Sequence, residues 1–136
     1  MIVKMCKPNF EPPIVAGIKI HTIRPPAKRP ILPGMELSLR VWTGKAYRSP
    51  QREILRTVVT EVEGIRIHRD GVEFSPGTLR VFWCCESNRK RRPRLEQLAR
   101  NDGFQSWEEM RAWFENEHGL AEPFEGSLIS WKPPTA

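Results

Sequence analysis

Alternating β-forming segments in the middle of the chain limit the choice of fold more than any other feature. Residues 35–42, MELSLRVW, place apolar residues at every second position, which predicts a strand with one buried face. An Asp70-Gly71 pair between β-formers predicts a two-stranded hairpin over about residues 64–75. Residues 78–85, TLRVFWCC, carry so little polarity that they predict a central strand.

Helical patterns follow only in the last third of the chain. Residues 94–104, RLEQLARNDGF, predict a short helix that ends at Gly103. A second helix begins after Ser106, where Glu109 completes the sequence pattern of a capping box. Its apolar residues recur at helical spacing and are expected in the core: Trp107, Met110, Trp113 and Phe114. With an opening strand, a short helical turn at residues 11–17 and a closing strand at 124–131, the order predicts an α+β fold: a small bent β-barrel covered by two or three helices.

Length and composition predict a single domain over residues 1–136, with its core at about 3–132. The apolar runs are too short to span a membrane, and the N-terminus lacks the apolar core of a secretory signal, so we expect a cytoplasmic protein without a membrane partner. Three cysteines are a poor disulfide framework and are expected to be reduced thiols. The sequence predicts no metal site and no cofactor, and a monomer is favoured.

The charge is unevenly distributed. Residues 1–100 carry 20 Lys and Arg against 9 Asp and Glu, a balance of +11, whereas residues 101–136 carry 2 against 7, a balance of −5. A basic body is typical of a protein that binds a polyanion such as RNA. Within it, residues 86–94 hold five cations, which form either a solvated loop or an arm that contacts phosphates.

The segment GIKIHTIRPP, residues 17–26, concentrates reactive side chains near the N-terminus. Lys19, His21, Thr22 and Arg24 stand within six residues, between a glycine and two prolines. Such a stretch is either a solvated loop or a site that binds or cuts an anionic ligand. A later turn, TGKAYRSP, adds cationic and aromatic side chains that suit the same ligand: Lys45, Tyr47 and Arg48.

These motifs resemble those of the ASCH domain family over almost the whole chain, roughly residues 3–132. Residues 17–24 match a G-x-K-x-x-T-I-R pattern, and the segment VWTGKAYRS follows about 20 residues later. Asp102-Gly103-Phe104, the helix SWEEMRAWF and the strand FEGSLISW follow in the same order as in the family. The resemblance implies a PUA-like β-barrel and RNA binding in a cleft between barrel and helices.

One branch of that family removes the acetyl group from N4-acetylcytidine, and other members are described as ribonucleases. The resemblance to the amidohydrolase branch implies catalytic roles for Lys19 and Thr22, which match its lysine and threonine. Asp102 lies near the position of that branch's glutamate and is one methylene shorter. The chain is also longer than that branch and carries inserts, notably residues 86–94.

Two functions from different classes therefore remain open. In an RNA- or nucleoside-binding protein, the cations contact phosphates, Tyr47, Trp42 or Trp131 stacks on a base, and His21 bonds a base edge. In a metal-independent amidohydrolase, Thr22 is the nucleophile, Lys19 the base, and Asp102 orients the lysine or carries a proton. A metal-assisted ribonuclease ranks lower because no carboxylate cluster supports it. A protein-interaction module ranks lowest because it gives the cationic loops no role.

Overall fold

The computed structural model describes residues 1–134, and over that range the protein is α+β, as predicted. The strands are β1 (Ile2–Met5), β2 (His21–Arg24), β3 (Glu36–Trp42), β4 (Gln51–Ile67), β5 (Gly71–Phe74), β6 (Phe82–Cys85) and β7 (Phe124–Trp131). The helices are α1 (Glu11–Val15), α2 (Arg92–Asn101) and α3 (Trp107–His118), and a 3-10 turn (Pro8–Phe10) precedes α1. No helix within the described range combines the length and the apolar character needed to cross a bilayer.

Strand β4 organises the sheet because it is long enough, at 17 residues, to pair with three others. It pairs antiparallel with β3 through its first half, with β7 through its second half and with β5 near its end. Strand β1 joins β3 in parallel, and β2 joins β7 in antiparallel register. The result is an open seven-stranded sheet that brings the N-terminal β2 beside the C-terminal β7.

The predicted hairpin is confirmed, whereas the predicted central strand at residues 78–85 is wrong in length and position. Ile65–Ile67 pairs with Val72–Phe74 on either side of the Asp70-Gly71 turn. Strand β6 has only four residues and pairs with β5 alone, at an end of the sheet. The chain turns before it through left-handed residues, with φ of 52° at Ser75 and 76° at Gly77, and this turn leaves Leu79 fully exposed.

Helix α3 supplies much of the core, as its spacing predicts. Trp107, Met110 and Phe114 are buried, while Trp113 is only half-buried. The Ser106 hydroxyl accepts a hydrogen bond from the Glu109 N–H at 3.1 Å, which caps the helix. The Glu109 carboxylate accepts from Gln105 N–H at 2.9 Å, so the reciprocal half of the capping box falls one residue earlier than predicted.

Candidate functional site

The segment before β2 is held between the end of α2 and strand β7. Gly17 ends α1 in a left-handed conformation, with φ of 76°. Ile20 then donates its N–H to the Asn101 carbonyl at 2.8 Å and accepts from Trp131 N–H at 3.1 Å. These backbone bonds place Lys19 directly beside Asp102, which follows α2 as its C-cap residue.

Lys19 and Asp102 form a buried ion pair. Their exposed fractions are 3% and 4%, and the Lys19 Nζ lies 3.1 Å from Asp102 Oδ1. The same ammonium donates to the Asp102 carbonyl at 2.5 Å, which satisfies a free acceptor at the negative end of the helix. Nζ also lies 4.6 Å from the centroid of the Phe10 ring, within cation–π range. A buried charge needs such partners, and they fix the amine in one place.

His21 supports Asp102 from a second direction. Its Nδ1 lies 3.0 Å from Asp102 Oδ1, and because a carboxylate oxygen only accepts, Nδ1 carries the shared hydrogen. The ring is buried, and its Nε2 has no hydrogen-bond partner within the described residues. His21 does not line the cleft described below. Its position suits the bracing of Asp102 and does not suit the contact with a base edge that the sequence predicted.

Thr22 and Arg24 form a second polar unit on β2. The Arg24 Nε donates to the Thr22 hydroxyl oxygen at 3.2 Å. A terminal nitrogen of the same guanidinium donates to the Met5 carbonyl at 2.6 Å, which ties β2 to the end of β1. Because the Thr22 oxygen acts as acceptor for Arg24, the hydroxyl hydrogen is free to point elsewhere.

These polar residues lie along one cleft of about 500 Å³, to which Lys19, Thr22, Arg24 and Asp102 all contribute. The other walls are largely aromatic and come from distant parts of the chain: Phe10, Trp42, Tyr47, Phe104 and Trp113. Trp42 and Tyr47 contact each other, with ring centroids 5.2 Å apart. Lys7 and Glu117, which also line the cleft, form an ion pair that connects the loop after β1 to α3.

Gly103 allows the ion pair and the aromatic wall to approach each other closely. Its φ is 95°, a conformation that other residues rarely adopt. A Cβ atom at this position would lie 3.1 Å from both Lys19 Cδ and Phe10 Cδ1. The Asp-Gly-Phe order therefore has a local physical reason. Asp102 supplies the carboxylate, Gly103 makes a turn in which a side chain would not fit, and Phe104 supplies a ring that lines the cleft.

Cys6 adds a thiol to the cleft wall. Burial raises the pKa of the Cys6 thiol, and the nearby cations Arg24 and Lys19 offset part of this increase. The net result is a pKa above the ordinary value, so the group remains a neutral thiol at neutral pH. We expect it to shape the cleft and not to act as a nucleophile.

The other predicted ligand residues are dispersed. Tyr47 lines the cleft while being 89% exposed, and it has a left-handed backbone with φ of 63°. Lys45 and Arg48 are exposed in the same turn and do not line the cleft. Trp131 is 2% exposed and packs in the core, away from the cleft lining.

Sequence reasoning missed most of the aromatic wall. Phe10 precedes α1 and Trp113 lies on α3, so no local pattern connects them. Phe104 stands next to Asp102-Gly103 in the late motif, and this adjacency is the only sequence signal that could have found it. Within residues 1–134, no group of three or more His, Cys, Asp and Glu side chains is placed to hold a metal ion.

Comparison of this chain with protein-family models, with curated proteins and with solved structures found no match. The resemblance to the ASCH family therefore remains an interpretation of the motif residues themselves.

Proposed function

We propose that the protein is an ASCH-type module with a PUA-like bent barrel, and that its cleft binds a nucleoside, either free and modified or within RNA. The observation that carries this proposal is the buried Lys19–Asp102 pair in the wall of an aromatic-lined cleft of about 500 Å³. That volume lies within the range of about 300–1,000 Å³ typical of small-molecule sites.

The aromatic walls suit a flat, heteroaromatic ligand. Trp42 and Tyr47 lie at the exposed side of the cleft, and Phe10 and Phe104 line its buried side. Stacking of a base on an aromatic side chain contributes about 1–3 kcal/mol and tolerates different bases. Stacking thus accounts for affinity, while the polar residues of the same cleft account for selectivity.

The ion pair offers both a donor and an acceptor to a base edge. An ammonium has three hydrogens, and Lys19 directs two of its bonds to Asp102, so one remains for a ligand oxygen or ring nitrogen. Asp102 Oδ1 accepts from Lys19 and His21, while Oδ2 has no hydrogen-bond partner within the described residues. A carboxylate oxygen accepts well from the exocyclic amine of cytosine. We therefore favour a cytosine-type base.

Hydrolysis of an acyl amide is the second candidate, and the environment of Thr22 favours it. The Thr22 oxygen accepts from Arg24, so its hydrogen is available to a base, and Lys19 lies along the same cleft. In this reaction the hydroxyl oxygen attacks the acyl carbon, its proton passes to the amine of Lys19, and the leaving amine is protonated in turn. Water then hydrolyses the acyl ester on Thr22.

Binding ranks above hydrolysis because the two roles use different forms of Lys19. The ion pair with Asp102 uses the charged ammonium, whereas a general base has to be neutral. Ligand binding makes no such demand, because it uses the Lys19–Asp102 pair as it stands.

Calorimetric titration with cytidine and N4-acetylcytidine tests the proposal, and acetate release in the same samples tests the second candidate. We expect binding by the unmodified protein and by Asp70→Asn, and loss of binding in Asp102→Asn and Lys19→Ala. Asp70→Asn is the matched control, because Asp70 is the only other aspartate in the sequence and its side chain is exposed.

Failure of the folded protein to bind either nucleoside or single-stranded RNA would contradict the proposal. Acetate release that disappears in both Lys19→Ala and Thr22→Ala would place hydrolysis first. RNA cleavage that a chelator abolishes would instead indicate a ribonuclease.

A further inference from the structure

A second cationic region lies outside the cleft, and its charges form no ion pair with the acidic side chains of the described residues. We call it the arginine segment; its members are Arg80, Arg89, Lys90, Arg91, Arg92 and Arg94. Within residues 1–134, none of the six forms an ion pair. Elsewhere on the surface, Arg52, Arg56, Arg66 and Arg69 each contact a glutamate, whereas Arg29, Arg48 and Arg100 also form no ion pair within residues 1–134.

Part of the arginine segment is held against rings at the end of the sheet. Arg91 lies over the Phe82 ring at 4.2 Å from Cζ to the centroid, and its guanidinium donates to the Trp83 carbonyl at 2.7 Å. Arg94 lies 4.5 Å from the Phe74 centroid and 4.8 Å from that of Phe82. These guanidinium groups therefore have defined positions, unlike the side chains of a solvated loop.

A groove runs beside these rings. Arg80, Arg94 and Phe82 line it, and its volume is about 530 Å³. Glu61 and Glu63 line it as well, and Glu63 accepts a hydrogen bond from the Ser75 hydroxyl at 3.2 Å. The groove thus carries both cationic and acidic side chains, and the remaining cations, Arg89, Lys90 and Arg92, are exposed.

We propose that the arginine segment binds the phosphates of a single-stranded polynucleotide, at a surface separate from the cleft. Guanidinium groups match phosphate oxygens with paired donors. A guanidinium that stacks on a ring also offers its opposite face to a nucleobase, a feature of single-strand recognition that a lipid headgroup does not use. The combination of unpaired charge and ring-backed arginines favours a nucleic acid over an anionic membrane.

Helix α2 relates this surface to the cleft. The helix begins at Arg92 and Asp102 follows its last residue, so its 10 residues separate the two sites by about 15 Å. A stacked strand advances about 3.4 Å per nucleotide, and about four nucleotides cover that distance. In this one respect the inference rests on the proposed function: a strand whose nucleoside occupies the cleft reaches the arginine segment with its flanking phosphates.

Fluorescence anisotropy with a labelled single-stranded RNA of about 12 nucleotides tests the proposal. The test variant is the triple substitution Arg89→Ser, Lys90→Ser and Arg92→Ser, whose side chains are exposed and form no ion pair in the part of the chain that the structure describes. The matched control is Arg52→Ser, Arg56→Ser and Arg69→Ser, which removes the same charge from paired positions. We expect RNA affinity to fall at least tenfold in the test variant and less than threefold in the control.

The salt dependence of RNA binding gives a second, independent measurement. Each phosphate contact of a single strand contributes about 0.7 to the slope of log K against log salt, so the loss of three contacts lowers the slope by about 2. An unchanged slope in the test variant would overturn the proposal, and so would equal weakening in both triple variants. Stronger binding to vesicles of anionic phospholipid than to RNA, lost in the test variant alone, would assign the surface to a membrane instead.

Cytidine binding separates this proposal from the preceding one. We expect the arginine-segment variant to bind free cytidine with unchanged affinity, because none of its substitutions lines the cleft. RNA binding that depends on the arginine segment and is unchanged in Lys19→Ala and Asp102→Asn, in a protein that does not bind the free nucleoside, would support this inference and contradict the proposed function. Nucleoside binding without RNA binding would support the proposed function and contradict this inference.

Discussion

The cations of the cleft and those of the arginine segment show two ways to use the same charge. Lys19 and Arg24 are bonded to acceptors fixed by the backbone, and Lys19 is almost fully buried. Arg89 and Lys90 are exposed and form no ion pair within the described residues. A buried, paired charge is costly to place and has one position, so it suits selection of a ligand. An exposed, unpaired charge suits attraction of a polyanion, which screening by salt weakens.

The largest expected effect comes from removing the carboxylate that neutralises Lys19. Asp102→Ala leaves an ammonium buried without its ion-pair partner, which lowers the free energy of unfolding by about 3–5 kcal/mol. Asp70→Ala, at an exposed position, lowers it by less than about 1 kcal/mol. Urea unfolding of both variants measures the difference. Equal losses in the two variants would mean that the buried Lys19–Asp102 pair contributes no more to stability than an exposed aspartate does.

A glycine comparison tests how tightly the cleft wall is packed. Gly103→Ala combines the strain of a left-handed residue, about 1–3 kcal/mol, with a Cβ that lies 3.1 Å from Lys19 and Phe10. Gly77→Ala, at φ of 76°, carries the strain alone, because no atom lies within 4 Å of its Cβ. Thermal or urea unfolding should show the larger loss for Gly103→Ala. A smaller loss there than at Gly77 would contradict the close packing.

Neutralising the arginine segment should affect stability far less than either change at the cleft. The triple substitution of Arg89, Lys90 and Arg92 by serine breaks no ion pair among the described residues, and surface substitutions stay within about 0.5 kcal/mol each. Because the substitutions relieve repulsion between like charges, we expect a small gain in stability at low salt. Urea unfolding at low and high salt checks this, and a loss above about 2 kcal/mol would show that the segment is structural.

The smallest effect concerns the reactivity of Cys6. Because burial raises the pKa of this thiol, the group stays protonated over a pH range in which an ordinary thiol, with a pKa of about 8.5, has ionised. Alkylation of Cys6 in the native protein should therefore be slow at neutral pH and should accelerate only above that range. Site-resolved mass spectrometry measures the rate with and without cytidine. A bound nucleoside should slow it further, and rapid labelling at neutral pH would place Cys6 outside the protected wall.

The fold was predictable wherever a local rule was sufficient. Asp70-Gly71 determines the hairpin, Ser106 caps α3, and Gly119 ends that helix with φ of 70°. Strand β6 was not predictable, because the apolar run TLRVFWCC does not reveal that the turn at Ser75–Gly77 keeps Leu79 outside the sheet. Its place at the end of the sheet depends on which strands pair, which is a property of the whole chain.

The polar half of the cleft was likewise more predictable than the aromatic half. Lys19 and Asp102 were expected to meet, and they do, at 3.1 Å. Thr22 and Arg24 line the same cleft. His21 was expected to face a ligand, yet it contacts Asp102 from outside the cleft lining. Phe10 and Trp113 approach each other, with centroids 6.1 Å apart, only through the tertiary fold, so sequence spacing could not reveal them.

Nuclear magnetic resonance mapping of cytidine binding tests the central claim most directly. Amide shift changes on addition of free cytidine should concentrate at Lys19, Thr22, Asp102 and Phe104 and leave residues 89–92 unchanged. Addition of single-stranded RNA should extend the changes to residues 89–92. Cleft shift changes that are absent with both cytidine and RNA, or RNA-induced changes confined to residues 89–92, would contradict the account of a nucleoside site built around the buried ion pair.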